Sequence, residues 1–131
     1  MAAVESYPDD LKYHEEHDWA RIEGGEAVLG ITWFAADALG ELVHFEPPEV
    51  GASVQKDASY GEAESVKAVS DLIAPLSGEV LEVNQKVVDA PETVNEDPYG
   101  DGWLIRIRMS DPAETEALID AGAYKQVLAE L

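Results

Sequence analysis

The sequence of 131 residues contains no cysteine. A chain without cysteine has no disulfide framework, no thiolate metal ligand and no cysteine nucleophile. The absence is also compatible with a reducing compartment. Thiol-based catalysis and disulfide scaffolds are therefore excluded as function classes.

Positive charge is scarce. Eight lysines and arginines stand against 28 aspartates and glutamates, which gives a formal net charge of −20 at pH 7. A chain this acidic is repelled by phosphate backbones and by anionic lipid surfaces. We therefore expect neither a nucleic-acid partner nor a membrane partner.

Long hydrophobic runs are missing as well. No run approaches the roughly 20 apolar residues that a membrane-spanning helix needs, and residues 1–10 lack both an apolar signal core and an arginine-rich transit pattern. These features indicate a cytoplasmic protein of bacterial type, or a mitochondrial matrix protein if the first residues are the product of processing. With 46% apolar residues, the chain can form one hydrophobic core, so residues 1–131 are expected to be a single domain. Within this domain, residues 1–10 are expected to be poorly ordered.

The first half of the sequence is rich in strand signals. Residues 19–23 and 26–31 are short β-type runs around a Gly-Gly pair that tolerates positive φ, so they predict a hairpin. Thr32 is a suitable cap for a short helix over residues 33–39, which ends at Gly40. The pattern thus predicts two strands followed by a two-turn helix.

Strand signals continue through the second half. Residues 41–46 and 80–83 favour strands. In residues 103–109 the side chains divide between an apolar face and a face that carries two arginines together with Leu104, which is the pattern of a half-buried strand. The prolines, glycines and carboxylates of residues 89–102 predict a long surface loop. The fold is therefore expected to be mainly β.

The last twenty residues predict helices. Asp111-Pro112 is a good helix start, and Gly122 is expected to interrupt the helix. A second short helix then presents one apolar stripe, formed by Tyr124, Val127, Leu128 and Leu131.

Lys67 is isolated from other positive charge. It is the only cation between Lys56 and Lys86, an interval that it shares with six carboxylates. Its neighbours Val66 and Ala68 are small or apolar. Lysine combines a flexible stem with an amine that can form an amide, which arginine cannot do in its place. We interpret Lys67 as an attachment point for a covalently bound group.

Several separated motifs occur in a fixed order around this lysine. They are His17 to Trp19, Gly30 to Thr32, Ala38 to Gly40, Glu64 to Ala68, Ser70-Asp71, Pro75 to Val80 and Val94 to Trp103. Through these motifs, residues 11–130 resemble the glycine cleavage system H proteins.

The resemblance implies a carrier and not an enzyme. It implies a barrel-sandwich hybrid fold, like that of lipoyl domains, in which Lys67 lies at the tip of a β-hairpin and holds lipoic acid in amide linkage. The implied partners are glycine decarboxylase with pyridoxal phosphate, aminomethyltransferase with tetrahydrofolate, dihydrolipoyl dehydrogenase, and a lipoate ligase or lipoyl/octanoyl transferase. Partner contacts of a shuttle should be small and short-lived, so a monomer is expected.

The resemblance also suggests roles for three carboxylates. Glu64 is expected to guide the lipoylating enzyme. Asp18 stands where the family has Glu, and Asp18 and Asp71 are candidate contacts for the loaded arm. Another departure from the family pattern is Trp33-Phe34, which replaces an acidic-aromatic pair. No catalytic residue is expected.

Alternative functions remain open at the level of sequence. A biotinyl carrier displays its lysine in the same way, although biotin sites are typically flanked by methionines and Met1 and Met109 are far from Lys67. An unmodified adaptor of the same fold is another alternative, as is a carrier that mainly hands lipoyl groups to other complexes. A zinc site at His14 and His17 would require a helix there, but the following residues favour a strand, so no metal is expected.

Overall fold

The computed structural model describes residues 3–131; Met1 and Ala2, which belong to the segment expected to be poorly ordered, lie outside the described residues. The strands are β1 (Lys12–Tyr13), β2 (Asp18–Glu23), β3 (Glu26–Ile31), β4 (Leu42–Glu46), β5 (Ser53–Val54), β6 (Ser59–Ser65), β7 (Val69–Ile73), β8 (Gly78–Val83) and β9 (Ile105–Met109). The helices are α1 (Trp33–Leu39), α2 (Gln85–Asp89), α3 (Thr93–Glu96), a 3₁₀ helix (Pro112–Ala117) and α4 (Ala121–Ala129).

The strands of the described residues form two antiparallel sheets. One has six strands in the order β1-β2-β3-β9-β8-β5, and the other has three in the order β4-β6-β7. Leu29 and Ile105 of the larger sheet share one buried cluster with Phe45 and Leu72 of the smaller sheet. The core therefore lies between the sheets, and the expected mainly-β barrel-sandwich fold with a short helix near 33–39 and C-terminal helices is confirmed.

Local sequence signals predicted the first hairpin and helix correctly. Strands β2 and β3 pair up to Glu23 opposite Glu26, and Gly24 has φ +65° in the turn. The Thr32 side chain accepts a hydrogen bond from the backbone N–H of Ala35, which caps α1. Gly40 ends α1 with φ +87°, a conformation that favours glycine.

The prediction of a surface loop over 89–102 was wrong in part. Helix α3 lies inside it, and Thr93 and Val94 are buried. The backbone oxygen of Pro98, near the end of this segment, accepts a hydrogen bond from Nε1 of the buried Trp19 at 3.1 Å. The segment therefore contributes to the core, and it does so through contacts with residues that are distant in the sequence.

Three details near the C-terminus also differ from expectation. Gly122 lies inside the first turn of α4, because Asp120 caps this helix by accepting from the N–H of Ala123 at 2.8 Å. Leu131 is 75% exposed and does not extend the apolar stripe. Leu104, expected on the polar face of its strand, is buried.

The N-terminal segment makes specific contacts with the body of the fold. The backbone N–H of Ala3 donates to the Asn95 oxygen at 3.0 Å, and Ser6 accepts from the Tyr99 hydroxyl at 2.6 Å. The Tyr7 ring meets that of Tyr124 edge-on at 5.5 Å. How well residues 1–10 are ordered in solution stays a prediction. Within residues 3–131, none of the helices has the length and apolar character needed to cross a bilayer.

Candidate functional site

Lys67 lies at the tip of the hairpin formed by β6 and β7, which we call the Lys67 hairpin (residues 59–73). The two strands pair up to Glu64 opposite Val69. Residues 66–68 form the connection, and the Lys67 side chain is exposed. The hairpin belongs to the smaller sheet, where β4 supports β6 from the other side.

Ser65 closes the tip of this hairpin. Its Oγ accepts hydrogen bonds from the backbone N–H of Lys67 at 3.2 Å and of Ala68 at 3.1 Å. The backbone N–H of Ser65 donates to the Ala68 oxygen at 2.8 Å. This role of Ser65 was not predicted, because the tip lacks the usual turn residues Gly, Asn and Pro. The signal in the sequence was the serine itself, whose hydroxyl can accept hydrogen bonds from the backbone that follows it.

The amine of Lys67 is available for reaction. No side chain among residues 3–131 forms an ion pair with its Nζ. Its neighbours Val66 and Val69 are 73% and 59% exposed, so the tip is apolar and open. An exposed and unpaired primary amine on a flexible stem fits amide formation with a carboxylic acid cofactor.

Helix α1 ends beside the Lys67 stem. A Cβ placed on Gly40 would lie 3.5 Å from the Cε of Lys67. Asn95 fixes this corner, since its Nδ2 donates to the Gly40 oxygen at 2.9 Å and its Oδ1 accepts from the Leu42 N–H at 2.9 Å. Asn95 belongs to the motif Val94 to Trp103, but no role could be predicted for it, because its hydrogen-bond partners are distant in the chain.

A row of carboxylates crosses the exposed face of the smaller sheet. Glu46 pairs with Glu62, and Glu62 pairs with Asp71, so three adjacent strands place like charges opposite one another. All three side chains are exposed. Like charges directly opposite on neighbouring strands are destabilising. We call Glu46, Glu62 and Asp71 the acidic row.

The other residues of this face offset the negative charge of the acidic row only in part. His44 contacts Glu46 with Nε2 at 3.0 Å from Oε2. Glu64 is exposed and lies opposite His44 on one side and Val69 on the other. Glu64 and Asp71 thus share the exposed face of the hairpin that displays Lys67.

Asp18 does not join this group. It is 2% exposed and lies near Tyr60 and Ile73, which are at the end of the hairpin opposite to Lys67. Its Oδ2 and the hydroxyl of Tyr60 are both buried without a hydrogen-bond partner among the described protein groups. Burial raises the pKa of the Asp18 carboxyl well above its usual range, and the nearby Ile73 backbone and Tyr60 hydroxyl offset this only in part.

His14 and His17, the two histidines of the possible zinc site, contact different partners. His14 places Nε2 2.6 Å from Oδ1 of Asp57, whereas His17 places Nδ1 2.8 Å from the Tyr124 hydroxyl. Burial lowers the pKa of His17. Residues 3–131 hold no group of three side chains suited to a metal ion.

Comparisons with known proteins agree on one family. A family model described as glycine cleavage H-protein matches residues 11–131. The chain is 55% identical over 123 residues to the glycine cleavage system H protein of Anaeromyxobacter sp. (strain K), covering 94% of this chain and 96% of the relative. It is 52% identical over 117 residues to that of Symbiobacterium thermophilum, covering 89% and 91%. The crystal structure of a glycine cleavage system H protein from Mycobacterium marinum superposes with a TM-score of 0.86 at 43% identity, covering 93% of this chain and 98% of that one.

Proposed function

Because the chain belongs to the glycine cleavage H-protein family, we propose that it carries lipoic acid in amide linkage to Lys67 and works as a shuttle. It takes the methylamine group from glycine decarboxylase to aminomethyltransferase and is then reoxidised by dihydrolipoyl dehydrogenase. The chain itself catalyses no step and serves these enzymes as a substrate. The observation that carries the proposal is the exposed Lys67 amine, without an ion-pair partner among residues 3–131, at the tip of a hairpin.

The hairpin residues suit this role. Ser65 holds the tip in shape, so the position of the lysine is defined while its stem stays free. Acylation removes the lysine charge, which takes the formal net charge from −20 to −20 − 1 = −21. Attached to Lys67, lipoic acid would supply a disulfide whose opening takes up the aminomethyl group on one sulfur and leaves the other sulfur as a thiol; the dithiol would form only when that group has been passed on.

Glu64 is the proposed recognition residue for the enzyme that attaches the cofactor, a lipoate ligase or a lipoyl/octanoyl transferase. It is exposed, and it lies on the hairpin strand that leads into the tip. A carboxylate beside the target amine offers an arginine or lysine of the enzyme a charge-assisted hydrogen bond. No tertiary rearrangement is needed for this contact.

Asp71 and Asp18 are the proposed contacts of the loaded arm, whose amine is cationic. Asp71 is exposed on β7, four residues after Lys67, and among residues 3–131 its Oδ1 accepts one hydrogen bond, a long one of 3.4 Å from Ser59. Asp18 is enclosed, so a contact from Asp18 requires the hairpin base to open locally. Asp71 is therefore the more accessible of the two carboxylates.

We further propose a monomer that acts in the cytoplasm. A shuttle that visits several enzymes needs weak and short-lived contacts, which small interfaces provide. A large and stable interface of the carrier with itself would compete with these encounters.

Intact-mass measurement separates this function from the alternatives. After incubation with a lipoate ligase, lipoic acid and ATP, the chain is expected to gain one lipoyl increment; after incubation with a biotin ligase, it is expected to gain none. A biotinyl increment would establish a biotin carrier instead. Absence of any increment would leave the unmodified adaptor as the function.

The acidic row predicts how partners approach. Glu62→Gln is expected to slow methylamine loading by glycine decarboxylase at low ionic strength by a factor of roughly 1.4 to 5, which corresponds to the 0.2–1 kcal/mol of an exposed ion pair. The physical reason is the loss of attraction for the basic rim that we expect around the enzyme entrance. Initial loading rates measured at several salt concentrations test this, and the effect should disappear near 1 M salt, where the Debye length is about 3 Å.

Glu116→Gln is the matched control. Glu116 is exposed on the 3₁₀ helix, outside the smaller sheet, and its loss changes the net charge by the same amount. Equal rates for the two variants would show that only total charge matters, and would contradict a docking role for the acidic row.

A further inference from the structure

The turn that displays Lys67 departs from the usual chemistry of tight hairpins. It spans Ser65 to Ala68, with Val66 and Lys67 at its centre, and the backbone N–H of Ser65 donates to the Ala68 oxygen at 2.8 Å. Two-residue hairpin loops usually have positive φ at one or both central residues, because the turn then twists in the same sense as the strands. Val66 and Lys67 have negative φ, so the backbone alone does not favour this tip.

The Ser65 side chain takes the place of a backbone acceptor in this turn. In a regular β-turn, the N–H of the fourth residue donates to the backbone oxygen of the first. Here the N–H of Ala68 donates to the Oγ of Ser65 at 3.1 Å, and the N–H of Lys67 donates to the same oxygen at 3.2 Å. The hydroxyl in turn donates to the Ala68 oxygen at 3.3 Å. A serine hydroxyl offers one donor and two acceptor sites, so all of its hydrogen-bonding capacity is used within the turn.

Ser65 is held in place by the body of the fold. The residue is only 4% exposed, although it stands next to an exposed tip. It lies opposite Leu42 of β4 in the smaller sheet, and the Leu42 N–H donates to Oδ1 of Asn95 at 2.9 Å. The hydroxyl is therefore a fixed point to which the exposed turn is tied.

The hydrogen bond to the Lys67 N–H also affects the direction of the lysine side chain. Fixing this N–H restricts φ of Lys67, and φ sets the direction in which the Cα–Cβ bond leaves the turn. An enzyme that acylates the amine has to bind the tip with the stem directed into its active site. If the turn adopted this shape only part of the time, the apparent affinity for the carrier would fall in proportion to the competent fraction.

We propose that the Ser65 hydroxyl is the positioning group for Lys67: it selects the turn conformation that the acylating enzyme recognises. This inference rests on the proposed function, and it adds a recognition role for a buried side chain that does not contact the enzyme. Ser65 touches neither the amine nor the cofactor, so it acts through the backbone of Lys67 and Ala68.

Steady-state kinetics with a lipoate ligase test the proposal, with the wild-type chain, Ser65→Ala and Ser65→Thr as substrates and with lipoic acid and ATP at saturation. In Ser65→Ala, the KM for the carrier is expected to rise by a factor of roughly 2 to 13, the equivalent of one net hydrogen bond. The kcat should stay unchanged, because the bound carrier has already adopted the competent turn. Ser65→Thr keeps the hydroxyl and should have a KM close to the wild-type value. An unchanged KM in Ser65→Ala, a fall in its kcat alone, or an equal rise of KM in Ser65→Thr would overturn the proposal.

Two controls separate positioning from other effects. Acetylation of Lys67 by the small reagent N-hydroxysuccinimidyl acetate needs no defined turn, so its rate should be the same in the wild-type chain and in Ser65→Ala; a slower reaction in Ser65→Ala would overturn the proposal, because the substitution would then act on the amine itself. Ser70→Ala removes a hydroxyl from β7 that donates to the neighbouring Asp71 oxygen at 3.3 Å. Its KM should equal that of the wild-type chain, and a rise as large as in Ser65→Ala would count against a specific role of Ser65.

A further measurement needs no substitution. In the wild-type chain, hydrogen exchange at the amides of Lys67 and Ala68 is expected to be slower than in an unstructured peptide of the same sequence, whereas equal rates would overturn the proposal. Intact mass keeps the two levels apart. A wild-type chain that gains no lipoyl increment refutes the proposed function and this inference with it, whereas wild-type and Ser65→Ala chains that are lipoylated with the same KM refute the positioning role alone.

Discussion

Replacing Lys67 by arginine is expected to abolish lipoylation, and with it all glycine-dependent activity that the chain supports in a reconstituted system. The guanidinium keeps the charge and much of the length of the side chain, but it has no amine that can be acylated. The loss should therefore be complete and not partial. Intact mass after treatment with lipoate ligase, followed by release of labelled carbon dioxide from glycine in the presence of the partner enzymes, measures both steps.

Lys125→Arg provides the matched control for this substitution. Lys125 is also exposed and, within residues 3–131, also lacks an ion-pair partner, but it lies on α4. This variant should be lipoylated and active like the wild-type chain. A lipoyl increment on Lys67→Arg, or its loss on Lys125→Arg, would place the attachment site elsewhere.

Replacing Asp18 by asparagine is expected to stabilise the protein at neutral pH by about 1–3 kcal/mol, the usual penalty for a buried polar atom without a partner. Burial raises the pKa of Asp18 in the folded state, so the folded protein binds a proton that the unfolded chain has released. In the wild-type chain, the stability from Asp18 is fully present below the unfolded pKa of about 3.9 and is lost as the pH rises through the raised folded pKa. Asparagine stays neutral at every pH, so its burial does not become more costly as the pH rises.

Denaturant unfolding of both proteins between pH 4 and pH 8 tests this prediction. The difference in the free energy of unfolding should be largest at pH 8 and should shrink as the pH falls. Asp71→Asn removes the same charge from an exposed position and should leave stability within about 0.5 kcal/mol of the wild-type value. A destabilised Asp18→Asn protein at pH 8 would contradict the prediction, because it would show that the interactions of the Ile73 backbone and the Tyr60 hydroxyl with the carboxylate outweigh the cost of its burial.

Sequence patterns predicted those features whose causes are local. The β2–β3 hairpin follows from a Gly-Gly turn, and α1 follows from a Thr32 cap and a glycine at its end. The resemblance implied that Lys67 lies at a hairpin tip, which is the position that it occupies in the fold. In each case, the residues that decide the structure lie within a few positions of one another.

Features that depend on distant partners were not predicted. Asn95 fixes the corner beside Lys67 across separations of 53 and 55 residues. Asp18 is a plausible surface acid in the sequence, and it becomes a buried carboxyl only because Tyr60 and Ile73 are brought to it by the sheets. The acidic row likewise exists only once β4, β6 and β7 are in register.

The amine of Lys67 is proposed to display a group that a partner enzyme loads. The mass of the Lys67 peptide, taken from the lipoylated chain after incubation with glycine and glycine decarboxylase, tests this directly. The expected peptide carries the lipoyl group plus the methylamine derived from glycine. A Lys67 peptide that remains unmodified, or a lipoylated peptide that gains no mass from glycine, would contradict it.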